Sequence, residues 1–287
     1  MAGFRVSPPK VFPVATAAPR PSLEAGGSAD AFRQTAFVLE GDVQLVLDGL
    51  NAEGRAAEAS SGSKHRTQQL ASALGLWSRA WLSRLQALHA LQWGNYAAAI
   101  TLVRAAADYQ ASMVYLLRTE AAEWEEWLEG GGIALAAPQH ATQYRLHAFR
   151  AAEVLAAHPI LGPLYRTATD LSLSHFGSTL LFAGNESDAE RVAITFGDRD
   201  FHLGLAELLL GWLLELGVAQ VDALHEFDSV FAADALSPLD TWCTKARHSI
   251  ASEGRCTVET IEVDGERRYL VSQWRREPRS APRRILL

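Results

Sequence analysis

Residues Asn95 to Arg118, NYAAAITLVRAAADYQASMVYLLR, most limit what this chain can become. Tyr96, Ile100, Val103, Ala107, Val114 and Leu117 form an apolar seam on a long helical pattern. The many alanines between them let neighbours approach closely, so the stretch predicts an organising helix with others packed around it. Along one edge of the seam stand Arg104, Asp108 and Tyr115. A second stretch, Tyr165 to Gly177 (YRTATDLSLSHFG), is the expected partner, because it ends in Ser174-His175 set among apolar residues.

The segments on either side read as helices and connections. Thr67 to Trp93 repeats Leu70, Leu74, Trp77, Trp81, Leu85, Leu88 and Leu91 at spacings of three and four, and Gly94-Asn95 punctuates it. Ser28 or Asp30 caps an earlier helix expected to run through Leu50, and the small polar run Asn51 to Lys64 reads as a flexible connection. An acidic helix over Glu120 to Glu129, ended by Gly130 to Gly132, and another from His140 to Ala157 are expected next. His158-Pro159 closes the latter, since the residue before proline is pushed out of the helical region. Pro163 opens the helix that runs toward His175. Asp198 is the expected cap of a nearly all-apolar helix from Asp200 to Phe231, which belongs in the middle of a bundle.

After Pro238 the pattern changes. A short helix leads to Gly254, and then Thr257 to Val263 and Arg268 to Trp274 alternate about Asp264-Gly265. Asp-Gly between two alternating runs is a strong hairpin signal. An isolated hairpin is marginal in water, so it must pack on the bundle, pair with another edge or join a dimer.

The fold class is therefore mainly α, a bundle of six to eight helices with a small C-terminal β-hairpin. The expected organisation is a flexible N-terminal arm over residues 1–30, rich in Pro, Ala and Gly, and a helical bundle over 31–235. An appendage of short helix plus hairpin over 236–275 and a basic tail over 276–287 complete it.

Charge and composition bound the function. The chain has a net charge of −7, but from Arg267 onward seven arginines face one acid, so that end carries +6 and everything before it −13. An acidic body argues against a broad nucleic-acid-binding face. The basic tail can contact nucleic acid, a membrane surface or the acidic body itself. Two cysteines, Cys243 and Cys256, make no disulfide framework, and no apolar run is long and uninterrupted enough for a membrane span, so a cytoplasmic protein is expected.

The polar positions admit two readings each. Arg104 and Asp108, four apart, form either a surface ion pair or an inward-facing group beside Tyr115. Ser174 lacks a nucleophile-elbow context, and a histidine at the position of His175 serves a helix end as readily as catalysis. Asp222 and His225 give one D-x-x-H where a di-iron bundle wants two E-x-x-H motifs. His89, His147, His175 and His202 lie on other helices, and convergence of three would make a metal site, yet no spacing demands it. The sequence leaves any cofactor unknown.

LVRAAADYQASMVYLL taken with YRTATDLSLSHFG resembles a group of uncharacterised bacterial helical proteins, which are loosely similar to the HEPN class of helical bundles. In that class an R-x4-6-H motif serves RNA cleavage. The resemblance places the group's polar positions on Arg104, Asp108, Ser174 and His175, and the HEPN motif on Arg84 and His89. Leu85 departs from the pattern, which has a polar residue directly after the arginine, and Arg84 and His89 sit inside a long periodic helix rather than at a break. Two functions follow as expectations. One is an interaction and assembly module that self-associates through Trp-rich helices, the hairpin edge and the arms. The other is an enzyme acting on RNA or a nucleotide, with His175 or His89 as general acid/base and Arg104 or Arg84 stabilising phosphate charge. A bundle holding a metal through histidines, or a small ligand, is the remaining reading.

Overall fold

The computed structural model describes residues 6–25, 27–60, 67–118, 151–184, 187–188, 190–227, 231 and 235–287. Their helices are α1 (Gly27–Val38), α2 (Glu40–Ala59), α3 (Gln68–Gln92), α4 (Tyr96–Arg118), α5 (Ala151–Ala157), α6 (Leu161–Ser172), α7 (Phe176–Ala183), α8 (Leu203–Glu226) and α9 (Ser237–Ile250). Three strands follow, β1 (Thr257–Val263), β2 (Glu266–Ser272) and β3 (Ile285–Leu286). A mainly α bundle with a C-terminal hairpin is what the periodicities predict.

Helices α3 and α4 make the most extensive helix pair. Thr67 caps α3 by accepting from the Leu70 amide at 3.2 Å. The link to α4 is tight because Gly94 takes φ 73°, where a side chain at that position would also sit 2.1 Å from the Arg199 carbonyl. On α4, Ile100, Val103 and Ala107 are fully buried, and α6 packs against this helix, which joins the two stretches that the sequence pairs.

Helix α8 is the centre, packed against α2, α3, α4, α6 and α9. It is long and apolar enough to cross a membrane, yet 89% of its most apolar window is buried inside the protein. Trp242 of α9 threads between α2 and α8, where Gly49 and Gly217 leave room for its ring. A Cβ at either glycine would lie 2.4 Å from the indole. The indole Nε1 donates to the Leu45 carbonyl at 2.7 Å, so the ring is buried with its one polar atom satisfied.

Several boundaries differ from the sequence expectation. The first helix breaks at Leu39 (φ −121°, ψ 23°), two residues before Gly41. Helix α2 then continues through Ala59 instead of dissolving at Asn51, because Ala52, Glu53, Gly54 and Ala56 are buried and hold it helical. The helix expected from Asp200 to Phe231 spans Leu203–Glu226, with His202 rather than Asp198 as its cap. Ser174 and His175 lie between α6 and α7, since Leu173 is extended (ψ 157°) and ends α6 before them. The acidic helix over Glu120 to Glu129 and the first part of the next lie outside the described residues.

The hairpin turns on Asp264 (φ 55°) and Gly265 (φ 80°), both left-handed, as the two-residue turn between twisted strands requires. The chain then returns and adds β3 to β2, pairing Leu270 with Leu286 and Val271 with Ile285. The sheet is fastened to the bundle by acids. Glu207 of α8 accepts from Arg275 Nη2 at 2.7 and 2.8 Å and from the Cys256 amide at 3.1 Å. Arg255 donates to both oxygens of Asp42 on α2 at 3.0 and 2.9 Å. Part of the basic C-terminal charge is thus spent on the acidic body.

Candidate functional site

Residues 6–20 do not stand free. They cross α2 and α3 without regular secondary structure and are held mostly by their main chain. Asn51 of α2 pairs with Ala15 twice, accepting from its amide at 2.8 Å and donating to its carbonyl at 3.1 Å. On α3 the His89 Nε2 lies 2.7 Å from the Thr16 carbonyl, so that nitrogen carries the proton. Gln92 accepts from the Ala18 amide at 2.8 Å, and Trp93 Nε1 donates to the Pro19 carbonyl at 3.0 Å. Two small side chains are pressed into the face, Ala15 at 6% and Ala18 at 5% exposure, while Phe12 and Val14 point to solvent. Gly54 allows the close approach, for a Cβ there would meet the Pro13 carbonyl at 2.4 Å. Beyond Pro13 the arm arches over α2 and α3 and leaves a cavity of about 430 Å³, walled by Leu74, Trp77 and Trp81.

Under this face lies a closed ion pair. Arg84 of α3 and Glu53 of α2 are 2% and 1% exposed. Arg84 Nη1 donates to Glu53 Oε1 at 2.7 Å, Arg84 Nη2 donates to Oε2, and Trp77 Nε1 adds a third donor to Oε2 at 3.1 Å. Arg84 and His89 therefore do not meet. The first is sealed against α2 and the second holds the arm.

Arg104 turns away from Asp108 and toward α6. Its Nε donates to Thr169 Oγ1 and its Nη2 to the Tyr165 hydroxyl, both at 3.0 Å, with the guanidinium 5.1 Å from the Tyr165 ring centroid. Arg79 of α3 does the same on α4, bonding the Tyr109 hydroxyl and lying 4.0 Å over its ring. Both cations thus rest on aromatic faces with hydroxyl partners. Asp108 is half-buried between them; its carbonyl accepts from Ser112 Oγ at 2.8 Å, while its carboxyl group makes no hydrogen bond or ion pair among the described residues. Burial pushes its carboxyl up, and the Arg104 and Arg79 charges pull it down.

The other sequence candidates scatter. Ser174 and His175 are exposed, and His175 contributes its carbonyl, which accepts from Ser178 Oγ at 2.9 Å and Thr179 Oγ1 at 2.8 Å at the start of α7. Tyr115 is half-buried against the core. Asp222 bonds Arg247 at 2.9 Å, and His225 bonds Asp240 at 2.6 Å. His202 is buried, accepts from the Leu205 amide at 3.2 Å and lies against Trp274 with ring centroids 4.4 Å apart and the rings tilted by 46°; burial holds its imidazole down at about 4. Among the described residues no three His, Cys, Asp or Glu side chains gather where a metal could be held.

No family model, curated protein or solved structure matches this chain. The residues that hold the arm (Asn51, Gln92, Trp93) carry no motif, and only their place at the ends of α2 and α3 brings them together. Arg79, Tyr109 and Thr169 likewise lie outside any recognisable spacing.

Proposed function

We propose that this chain is a helical interaction module that holds an extended polypeptide segment across α2 and α3, and that copies self-associate by trading their N-terminal arms. The observation that carries the reading is the way the arm is held. Four side chains, Asn51, His89, Gln92 and Trp93, bond only its main chain. Such contacts supply affinity without reading sequence, and the tight seats of Ala15 and Ala18 supply selectivity for small residues three apart. Prolines in the arm lower the entropy lost on docking. An arm from a second copy would make the same bonds. The burial of α8 and the two free, buried cysteines support a soluble protein of the cytoplasm.

The test compares the full chain with a variant lacking residues 1–22, by light scattering and by titration with a fluorescent peptide of residues 6–22. A self-associating full chain, a monomeric deletion variant and peptide binding by that variant alone are expected. A full chain that stays monomeric removes the self-association, and a peptide that fails to bind the deletion variant removes the groove reading altogether.

The alternative, an HEPN-like enzyme acting on RNA or a nucleotide, draws support from Arg104 and Arg79, which are unpaired with any acid among the described residues and suited to phosphate charge. It ranks second because His89 and His175, its candidate acid/base groups, stand on the arm contact and on the surface. Ribonuclease activity that disappears on Arg104→Ala, with the fold intact, would reverse the order.

A further inference from the structure

The inner face of the C-terminal sheet meets α6 along an open cleft of about 500 Å³. Its two walls are tied to each other. The Tyr269 hydroxyl of β2 donates to Asp170 Oδ2 of α6 at 2.5 Å. Burial and the Asp170 carboxylate push Tyr269 up to about 12, against the opposing pull of Arg166. Arg166 and Tyr269 line the same cleft.

Three arginines line this cleft, Arg166 from α6 and Arg267 and Arg268 from β2. Arg268 is shared with Glu266 at 2.9 Å in an exposed pair. The guanidinium groups of Arg166 and Arg267 have no hydrogen-bond or ion-pair partner among the described residues, and Glu262, which is opposite Arg267 in the ladder, makes no ion pair with it. The one carboxylate of the cleft wall, Asp170, is already bonded by Tyr269. Cations gathered from two elements repel one another, and an anion placed between them removes that cost. Thr167 and Thr260 add hydroxyl donors on the two walls.

We propose that the cleft between α6 and the sheet binds a phosphoryl group, with Arg166 and Arg267 as its two charged anchors. A tetrahedral dianion suits this set, because it offers acceptors in several directions to donors that come from both walls, and guanidinium forks match its oxygens in pairs. The site lies on α6 and the hairpin and does not depend on the arm groove.

The experiment is calorimetric titration of the full chain with inorganic pyrophosphate at low ionic strength. Arg166→Ala, Arg267→Ala and the exposed Arg191→Ala, which lies outside the cleft, are titrated alongside. Each cleft variant should weaken binding by roughly tenfold or more, the cost of a hydrogen bond to a charged group, while Arg191→Ala leaves it unchanged. All three arginines are exposed, so the substitutions leave the fold in place, which circular dichroism checks. Titration with AMP and with O-phosphoserine separates a nucleotide from a phosphorylated side chain as the source, and tighter binding of either supports the site. Absence of pyrophosphate binding overturns the proposal, as does an equal loss in Arg191→Ala. Acetate binding as tightly as pyrophosphate would overturn the phosphoryl assignment.

Discussion

Replacing Arg84 by Met leaves Glu53 in the protein interior with one donor instead of three. In the intact protein Glu53 accepts from Arg84 Nη1 at 2.7 Å, from Arg84 Nη2 and from Trp77 Nε1 at 3.1 Å, and its side chain is fully out of water. Breaking one partner of a buried pair costs about 3–5 kcal/mol, most of it the desolvated charge left behind. For a chain of this size that corresponds to a fall of roughly 10 °C in Tm. Removing both partners is different. Arg84 Nε is buried without a hydrogen bond, so the pair does not recover its full desolvation cost. Glu53→Leu combined with Arg84→Met should therefore lie within about 1–2 kcal/mol of the native protein. Urea unfolding followed by tryptophan fluorescence and far-ultraviolet circular dichroism measures all three variants. If Arg84→Met costs less than about 1 kcal/mol, the pair is not the sealed contact described above. If the double variant is as damaged as the single one, the stranded-charge reasoning fails. The same double variant separates stability from chemistry. It keeps a fold without Arg84, so RNA cleavage that persisted in it would remove Arg84 from any catalytic role.

Two further perturbations probe the core. Gly49→Ala and Gly217→Ala each push a methyl group into the Trp242 ring, at a Cβ distance of 2.4 Å, and each should cost about 1–3 kcal/mol. Because both act on one ring, the double variant should fall short of the sum in a double-mutant cycle, and strict additivity would show that the ring is not clamped between them. Glu215, largely buried in α8, is pushed up to about 7 by desolvation from an ordinary value of 4.5. The folded state then binds more protons than the unfolded chain between those values, so this group's contribution is present at low pH and lost as pH rises from about 4.5 to about 7. His202, held down at about 4, acts in the opposite sense, favouring the fold as pH rises from about 4 to 6.5. The difference in stability between native protein and Glu215→Gln isolates the carboxyl. It should change by on the order of 1–3 kcal/mol between pH 5 and 8, and a flat difference would place Glu215 in contact with water.

The legible parts of this protein share a physical cause. The helix periods of Thr67 to Trp93 and Asn95 to Arg118 and the Asp264-Gly265 turn are local, because they depend on residues within one or two turns of each other. Their elements stand close to where the sequence puts them. The misreadings arose where burial overrode local signals. Asn51 to Ala59 looks like a polar linker, yet buried Ala52, Glu53 and Ala56 keep it helical. Arg104 and Asp108 are spaced to touch, but Thr169 and Tyr165 of α6 offer Arg104 a better pair of acceptors.

The order of residues alone determined the long helices α3 and α4, where the hairpin turns and that α8 must lie inside, since an almost wholly apolar helix has no face to give to water. Only the tertiary structure decided which side chains meet. Glu53 and Arg84 are 31 residues apart, Ala15 and Asn51 are 36 apart, and Trp242 and Leu45 are 197 apart. No periodicity spans such separations. Those contacts exist because packing the helices around α8 fixes where each face ends, and a buried polar atom must then find its partner in whatever element arrives beside it.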